Sequence, residues 1–437
     1  MKPRVLLSLV ACLVLAAACN SGTSSPSTGQ PTATAVTPTA VTPTAVTPTA
    51  VTPSAVASSP ASAQPTSAAC AAVTGSGDLV FGAALPLSGV IAASGRQIQN
   101  ALNSSASYIN SHGGACGRNI VWKFEDNGYP SGTQASVAVR TLVSENVLAV
   151  LNFGTPGVAA TYQYLVTNNV PDLILFAGLT AFEPLASTAM SVYSDYKAQG
   201  EALGQYVAQT YPNQAVAVLY QDNDLGQSYL AGFSQYVKNI PSPQKYSATD
   251  VDFSTQLNAM RATGATVAAC FCLTPQVTQM LKFRQSSGWN PPVVTESSNA
   301  GTSLVTTVGA SFTDNVVSMD FFPPTSGPDS TPAMAQLATE ITSTDSTIPL
   351  TPYTIVSGAL NNVLADAVGL VSGDVTRQSL NTALHQTQAQ GAWYGSTVSL
   401  PAGRAPALFT CWHTTLITAG TPTPNGPLTC ESQLTGS

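Results

Sequence analysis

The residues of this chain that could do chemistry are mostly small and neutral, and they gather where short apolar runs stop. Ser88-Gly89, Gly154-Thr155-Pro156-Gly157, Gly178-Leu179-Thr180 and Asp222-Asn223-Asp224-Leu225-Gly226 each follow such a run and lead into an amphipathic segment. Three of the four offer hydroxyls and open backbone N–H groups, which suit them to hold a carboxylate at a helix N-terminus. Motifs for bond-breaking are missing. The chain has no Gly-x-Ser-x-Gly elbow, no His-Glu-x-x-His pair and no Gly-x-x-x-x-Gly-Lys-Ser/Thr phosphate loop. Its three histidines fall in a turn (His112), on a polar helix (His385) and near the C-terminus (His413), away from those loops. The expectation is a binding protein, not an enzyme, without cofactor or metal.

The cysteines point to an oxidising compartment. Apart from Cys12 and Cys19, six remain, and six cysteines allow fifteen pairings. Nearness along the chain favours Cys411 with Cys430, closing the C-terminal tail. Cys70 with Cys116 would pin the segment before the first strand to the loop after the first helix. Cys270 and Cys272 flank Phe271 in an apolar run and share one face of a strand, so they are expected as buried thiols.

The elements that must position the loops alternate between strand and helix. Residues 79–85 form a continuous apolar run, as in a strand covered on both faces. A helix follows to Asn110, with Ile98, Leu102, Ala106 and Ile109 at spacings of three and four. Strands are expected at 120–124, 148–151, 173–176, 215–220, 267–272 and 293–295. Helices are expected at 137–144, 162–167, 200–209, 227–237, 255–261 and 277–285. Such alternation predicts an α/β fold with parallel sheets, and the break at 190–197 predicts two lobes. Beyond it, helices are expected from Ser330 to Ile341 and over 354–370, and antiparallel strands within 393–416.

Composition narrows the partners. Only 8% of residues are charged, the net charge is −7, and Lys and Arg are nowhere clustered, which argues against nucleic acid. The first eighteen residues pair Lys2 and Arg4 with an apolar run over 5–15, too short to span a bilayer. The sequence Leu15-Ala16-Ala17-Ala18-Cys19 resembles a bacterial lipobox, with Ala16 where the pattern prefers leucine. The resemblance implies a cleaved signal peptide over 1–18, a lipidated Cys19 and residence on the outer face of the cell membrane. Residues 19–77 are rich in Thr, Pro and Ala, with Ala-Val-Thr-Pro-Thr repeated from Ala35. Proline at that frequency excludes helix and sheet and leaves an extended tether. About fifty such residues could reach on the order of 150 Å.

Several segments together carry a family resemblance. They are Ala84-Leu85-Pro86-Leu87-Ser88-Gly89, Ile109-Asn110-Ser111-His112-Gly113-Gly114, Phe124-Glu125-Asp126-Asn127, Gly154-Thr155-Pro156-Gly157 and Asn169-Val170-Pro171. The later half adds residues 218–226 and Asp252-Phe253-Ser254-Thr255-Gln256-Leu257. In this order the chain resembles the type I periplasmic solute-binding proteins of ABC transporters, in their branched-chain amino-acid-binding branch. The resemblance implies two Rossmann-like lobes joined by three crossing strands, within a binding domain over 78–437. One lobe is expected from 79–193 and 316–373, the other from 198–315 and 374–437. It implies Thr155 and Thr180, with the backbone of Gly178, against a ligand carboxylate, Ser88 at the rim of the cleft, and Glu296 against a ligand ammonium. It implies an amino acid or related small carboxylate as ligand and a permease as partner. A tethered sensor signalling to a membrane partner is the alternative reading, and a secreted hydrolase the remote one. Ser94, Leu225 and Leu273 stand near positions where relatives carry aromatic ligand contacts, which implies a roomier or differently shaped pocket.

Overall fold

The computed structural model describes residues 70–387, Trp393 and residues 407–434. The expected signal peptide, Cys19 and the expected tether as far as residue 69 lie outside the described residues. Five strands come first: β1 (Leu79–Leu85), β2 (Ile120–Asp126), β3 (Val150–Phe153), β4 (Asp172–Leu175) and β5 (Ala189–Tyr193). Five more follow: β6 (Val216–Gln221), β7 (Gln244–Tyr246), β8 (Val267–Phe271), β9 (Val293–Thr295) and β10 (Val316–Asp320). Near the C-terminus come β11 (Ala407–Phe409), β12 (Cys411–Thr418) and β13 (Thr421–Pro424). The helices are α1 (Ala92–Ser111), α2 (Gly132–Ser144), α3 (Thr155–Thr167), α4 (Tyr196–Thr210), α5 (Asp224–Phe233) and α6 (Ser254–Ala262). They continue with α7 (Thr274–Ser287), α8 (Gly301–Val308), α9 (Pro332–Thr342), α10 (Pro352–Gly369) and α11 (Arg377–Leu384).

Two sheets result. The first is wholly parallel, in the order β11-β5-β4-β3-β1-β2. The second runs β13-β12-β10-β9-β8-β6-β7, parallel except for the antiparallel pairs β10–β12 and β12–β13. Both are built from Val, Ala, Leu and Phe buried on both faces, which is why their strands read as continuous apolar runs and not as alternating ones. The chain passes between the sheets three times, after β5, after β10 and between β11 and β12.

These crossings correct the expected lobe boundaries. Residues 316–320 form β10, which pairs with β9 in the second sheet, so the second lobe extends through Asp320. The expected second-lobe segment from 374 also divides. In α11, Arg377 donates to Val147 O at 2.9 Å and Asn381 to Ser187 O at 2.7 Å, and β11 pairs with β5, so both belong with the first sheet. Only from Cys411 does the chain return to the second. The strands expected over 393–416 accordingly differ in kind: β11 is parallel and β12 antiparallel. The cause is long-range pairing, to which local pattern is blind.

Local chemistry sets the helix starts. The side chain of Asp195 accepts from Ala198 N, that of Asn223 from Gly226 N, and that of Thr331 from Met334 N. Thr331, one residue beyond the expected Ser330, is therefore the cap of α9. Thr351 and Thr354 form a reciprocal capping box with Pro352 at the first helical position of α10.

The structure joins Cys70 to Cys116 and Cys411 to Cys430. It also joins Cys270 to Cys272, where buried thiols were expected. Side chains two apart leave a strand on the same side, and a Cα–Cα distance of 5.1 Å is within disulfide reach.

Candidate functional site

The site lies at the carboxyl ends of the strands, between the two sheets. Phe153 ends β3, Thr155 opens α3, and Phe176 follows β4. Tyr129 comes from the loop after β2, Ile91 from the turn before α1, and Tyr353 from the first turn of α10. The second lobe brings Leu225 at the start of α5, Leu273 before α7, and Glu296 with Ser298 after β9. With Tyr196 of α4 these residues enclose a cavity of about 10 Å³, room for one water molecule. In open α/β sheets this is where loops converge on a ligand.

Among the described residues of the cavity wall, Glu296 is the one carboxylate. It is 2% exposed and caps the short turn Ser297–Asn299. It accepts from Ser298 N at 2.7 Å, Asn299 Nδ2 at 2.8 Å and the Ser298 hydroxyl. Asn299 is fixed in turn by the carbonyl of Cys272 at 2.7 Å. Burial pushes the Glu296 pKa up to about 7, against the opposing pull of the Ser298 hydrogen bonds. The ion pairs among the described residues are Lys123–Glu145 and Lys245–Asp222, so no protein cation meets this carboxylate.

Thr155 also lines the cavity, and its hydroxyl accepts from Gly178 N at 3.0 Å. Two of the three expected carboxylate contacts, Thr155 and the Gly178 N–H, are therefore engaged with each other. Gly178 lies where a Cβ would come within 2.1 Å of Asp224 Oδ2, so only glycine lets the lobes approach here.

Two expected positions fall elsewhere. Thr180 is exposed, and its N–H donates to Asp224 Oδ2 at 3.3 Å while its hydroxyl pairs with Ser228 Oγ at 2.7 Å. It joins the lobes beside the cavity without lining it, because the turn after Gly178 carries it outward. Ser88 is exposed as well. Its N–H, with those of Leu87 and Gly128, donates to Asp126 Oδ1, so the side chain belongs to a turn outside the cavity wall.

In this structure the cavity is small. Leu225 and Leu273 do line the cavity, as their positions suggest, but Tyr129, Phe153, Phe176, Tyr196 and Tyr353 fill the space from other elements. Tyr129 also contributes a contact between the lobes, its hydroxyl accepting from Gln221 Nε2 at 3.2 Å. In the sequence, Tyr129 could have been found from its place just after Asp126-Asn127-Gly128 at a strand end. Tyr196 and Tyr353 carry no local signal, since α4 and α10 meet the site only through the crossings.

Two α/β lobes, three crossings and a closed interlobe cavity with a buried carboxylate define a two-lobed solute-binding protein. The sequence profile of the family described as "Periplasmic binding protein" matches residues 78–412. The chain belongs to that family. The Leu/Ile/Val-binding protein homolog 3 of Brucella melitensis is 28% identical over 201 residues, covering 44% of this chain and 53% of that protein. The chain thus spans about half the length of the curated relatives it matches. In fold it is similar to a fatty acid ABC transporter substrate-binding protein from Thermomonospora curvata, with a TM-score of 0.69 and 19% identity over 83% of this chain and 94% of that one. It is similar also to the branched-chain amino acid transporter substrate-binding protein of Streptococcus pneumoniae in complex with isoleucine, with a TM-score of 0.68 and 16% identity over 81% and 99%. No helix among the described residues is long and apolar enough to cross a membrane.

Proposed function

We propose that this protein captures an amino acid or a related small carboxylate between its lobes and delivers it to the permease of an ABC importer. The observation that carries this reading is Glu296, a buried carboxylate without a protein cation, set in an aromatic box that both lobes must close to complete. A buried charge needs a partner, and a ligand ammonium is of the right size and sign. The Thr155 hydroxyl at the start of α3 and the Gly178 N–H after β4, once parted from each other, supply two donors for the carboxylate end of the zwitterion. The cavity of about 10 Å³ is too small for such a ligand, so capture requires hinge opening at the three crossings. Calorimetric titration with leucine, phenylalanine, their keto acids and benzoate tests the reading. Saturable binding of the amino acids supports it, and binding of none of the five defeats it.

The raised pKa adds a prediction about pH. An ammonium favours the ionised form of Glu296, whereas the empty site holds a proton below about pH 7. Affinity for an amino acid should therefore rise with pH between 5 and 7 by up to about tenfold per unit, then level off. An amine-free carboxylate ligand should not show this gain. A flat profile from pH 5 to 8 for the amino acid would remove Glu296 from the binding equilibrium.

For localisation we propose a lipid anchor at Cys19, with the Thr/Pro-rich tether lifting the binding lobes away from the membrane. Two or three acyl chains suffice for stable anchoring. Cys19→Ala should release the protein into the medium or leave its signal peptide uncleaved, and Cys12→Ala should do neither. A cleaved Cys19→Ala protein that stays on the membrane would show that another anchor operates.

A further inference from the structure

With Thr180 bound to Asp224 and Ser228, Thr155 and Gly178 remain for the carboxylate end of a ligand. The Tyr129 ring lies against that end. A Cβ on Gly154, the N-cap of α3 and the residue before Thr155, would come within 3.1 Å of its ring carbons Cδ2 and Cε2.

The Tyr129 hydroxyl ends a chain of hydrogen bonds that runs in one sense. The chain starts at Leu273, whose backbone N–H donates to the Tyr246 hydroxyl at 3.4 Å. A backbone N–H can only donate, so Tyr246 directs its own proton to Gln221 Oε1, at 3.1 Å. That sets the Gln221 amide, whose Nε2 donates to the Tyr129 hydroxyl at 3.2 Å. The reversed amide would leave the Tyr246 proton without an acceptor in a buried residue, which is costly. Tyr129 therefore receives a proton and keeps its own. Among the described residues no hydrogen bond takes that proton, and Tyr129 lines the cavity.

We propose that Tyr129 is a specificity-determining residue of the cleft, its hydroxyl donating to the ligand carboxylate as a third donor beside Thr155 and Gly178 N. This rests on the reading of the cleft as the site of a carboxylate ligand. Tyr129 belongs to the first lobe, whereas Gln221 and Tyr246 belong to the second. The donor is thus oriented only when the lobes close. A carboxylate satisfies it. A ligand that places an alkyl or ammonium group there leaves a buried O–H unpaired, which disfavours closure. The relay joins recognition of the acid group to movement of the hinge.

The test titrates leucine, phenylalanine, their keto acids and benzoate calorimetrically into the full chain. Tyr129→Phe should weaken each acid that the wild type binds by about tenfold or more. That variant also leaves Gln221 Nε2 without its acceptor, so a second one separates donation to ligand from bonding between the lobes. 3-Fluorotyrosine installed at position 129 alone is a stronger acid than tyrosine, hence a better donor and a poorer acceptor. Burial raises the Tyr129 pKa, which keeps the phenol protonated at pH 7. A hydrogen bond to a carboxylate is about twice as strong as the neutral one from Gln221, so the donor effect sets the sign. Binding of the acids should tighten, by about twofold. Unchanged affinity in Tyr129→Phe, or binding unchanged or weakened by the fluorinated ring, overturns this proposal and leaves the reading of the cleft standing. Binding of none of the five by the wild type defeats that reading and this proposal with it.

Discussion

Glu296→Gln is expected to weaken binding of a zwitterionic amino acid by about 2–5 kcal/mol, because the ligand ammonium is then buried without its counter-charge. The replacement keeps the size of the side chain, and its amide oxygen can still accept from Ser298 N, so the turn Ser297–Asn299 should hold. The loss therefore reports charge and not collapse. A keto acid of the same carbon skeleton, which lacks the ammonium, should lose far less. Thr155→Val provides the complementary measurement. It removes a hydrogen-bonding group from the start of α3 and should cost amine-bearing and amine-free carboxylates alike, on the order of 1.5–3 kcal/mol. Calorimetric titration of both variants against paired amino and keto acids separates the two roles. Equal losses for both ligand classes in Glu296→Gln would leave the ammonium role, and with it the amino-acid reading, without support.

The second large effect concerns stability. Gly232→Ala should destabilise the protein by on the order of 3 kcal/mol. A Cβ at this position of α5 would lie 2.0 Å from Lys197 O and 2.8 Å from Glu201 N, both backbone atoms of α4. Neither can swing aside as a side chain could, so the two helices would have to separate. Gly200 shows the same constraint from the other helix, its Cβ direction meeting Tyr229 O at 2.2 Å. Replacing a helical glycine by alanine gains about 1 kcal/mol of propensity, which the overlap outweighs. Urea unfolding compares the variant with Gln209→Ala, an exposed change near the end of α4 that should be nearly neutral. A midpoint for Gly232→Ala equal to wild type would mean that α4 and α5 pack less tightly than described.

The α/β class, the strand-helix alternation and the loops at strand ends were legible in the sequence. Strands covered on both faces must be apolar throughout, and glycine and proline punctuate them. Residues 79–85 and 293–295 match β1 and β9 in full for this reason. The short strands β5, β7, β10 and β13 were missed. Gln244–Tyr246 has only three residues, and Val316–Asp320 follows a stretch without periodicity, so neither carries a pattern long enough to read.

Of the candidate site, the sequence by itself determined that Thr155 and Glu296 stand at strand ends, where an α/β fold brings loops together. Strand order and helix starts are local enough in pattern to place them. What only the tertiary structure decided was the company they keep. Thr180 and Ser88 turn outward because their backbones satisfy Asp224 and Asp126, contacts made 44 and 38 residues away. Tyr196 and Tyr353 enter the same cavity because the chain crosses between the lobes, and Asp320 joins the second sheet because β10 pairs with both β9 and β12. Each of these depends on partners distant in sequence, and no short-range pattern of hydrophobicity or turn residues encodes such a pairing.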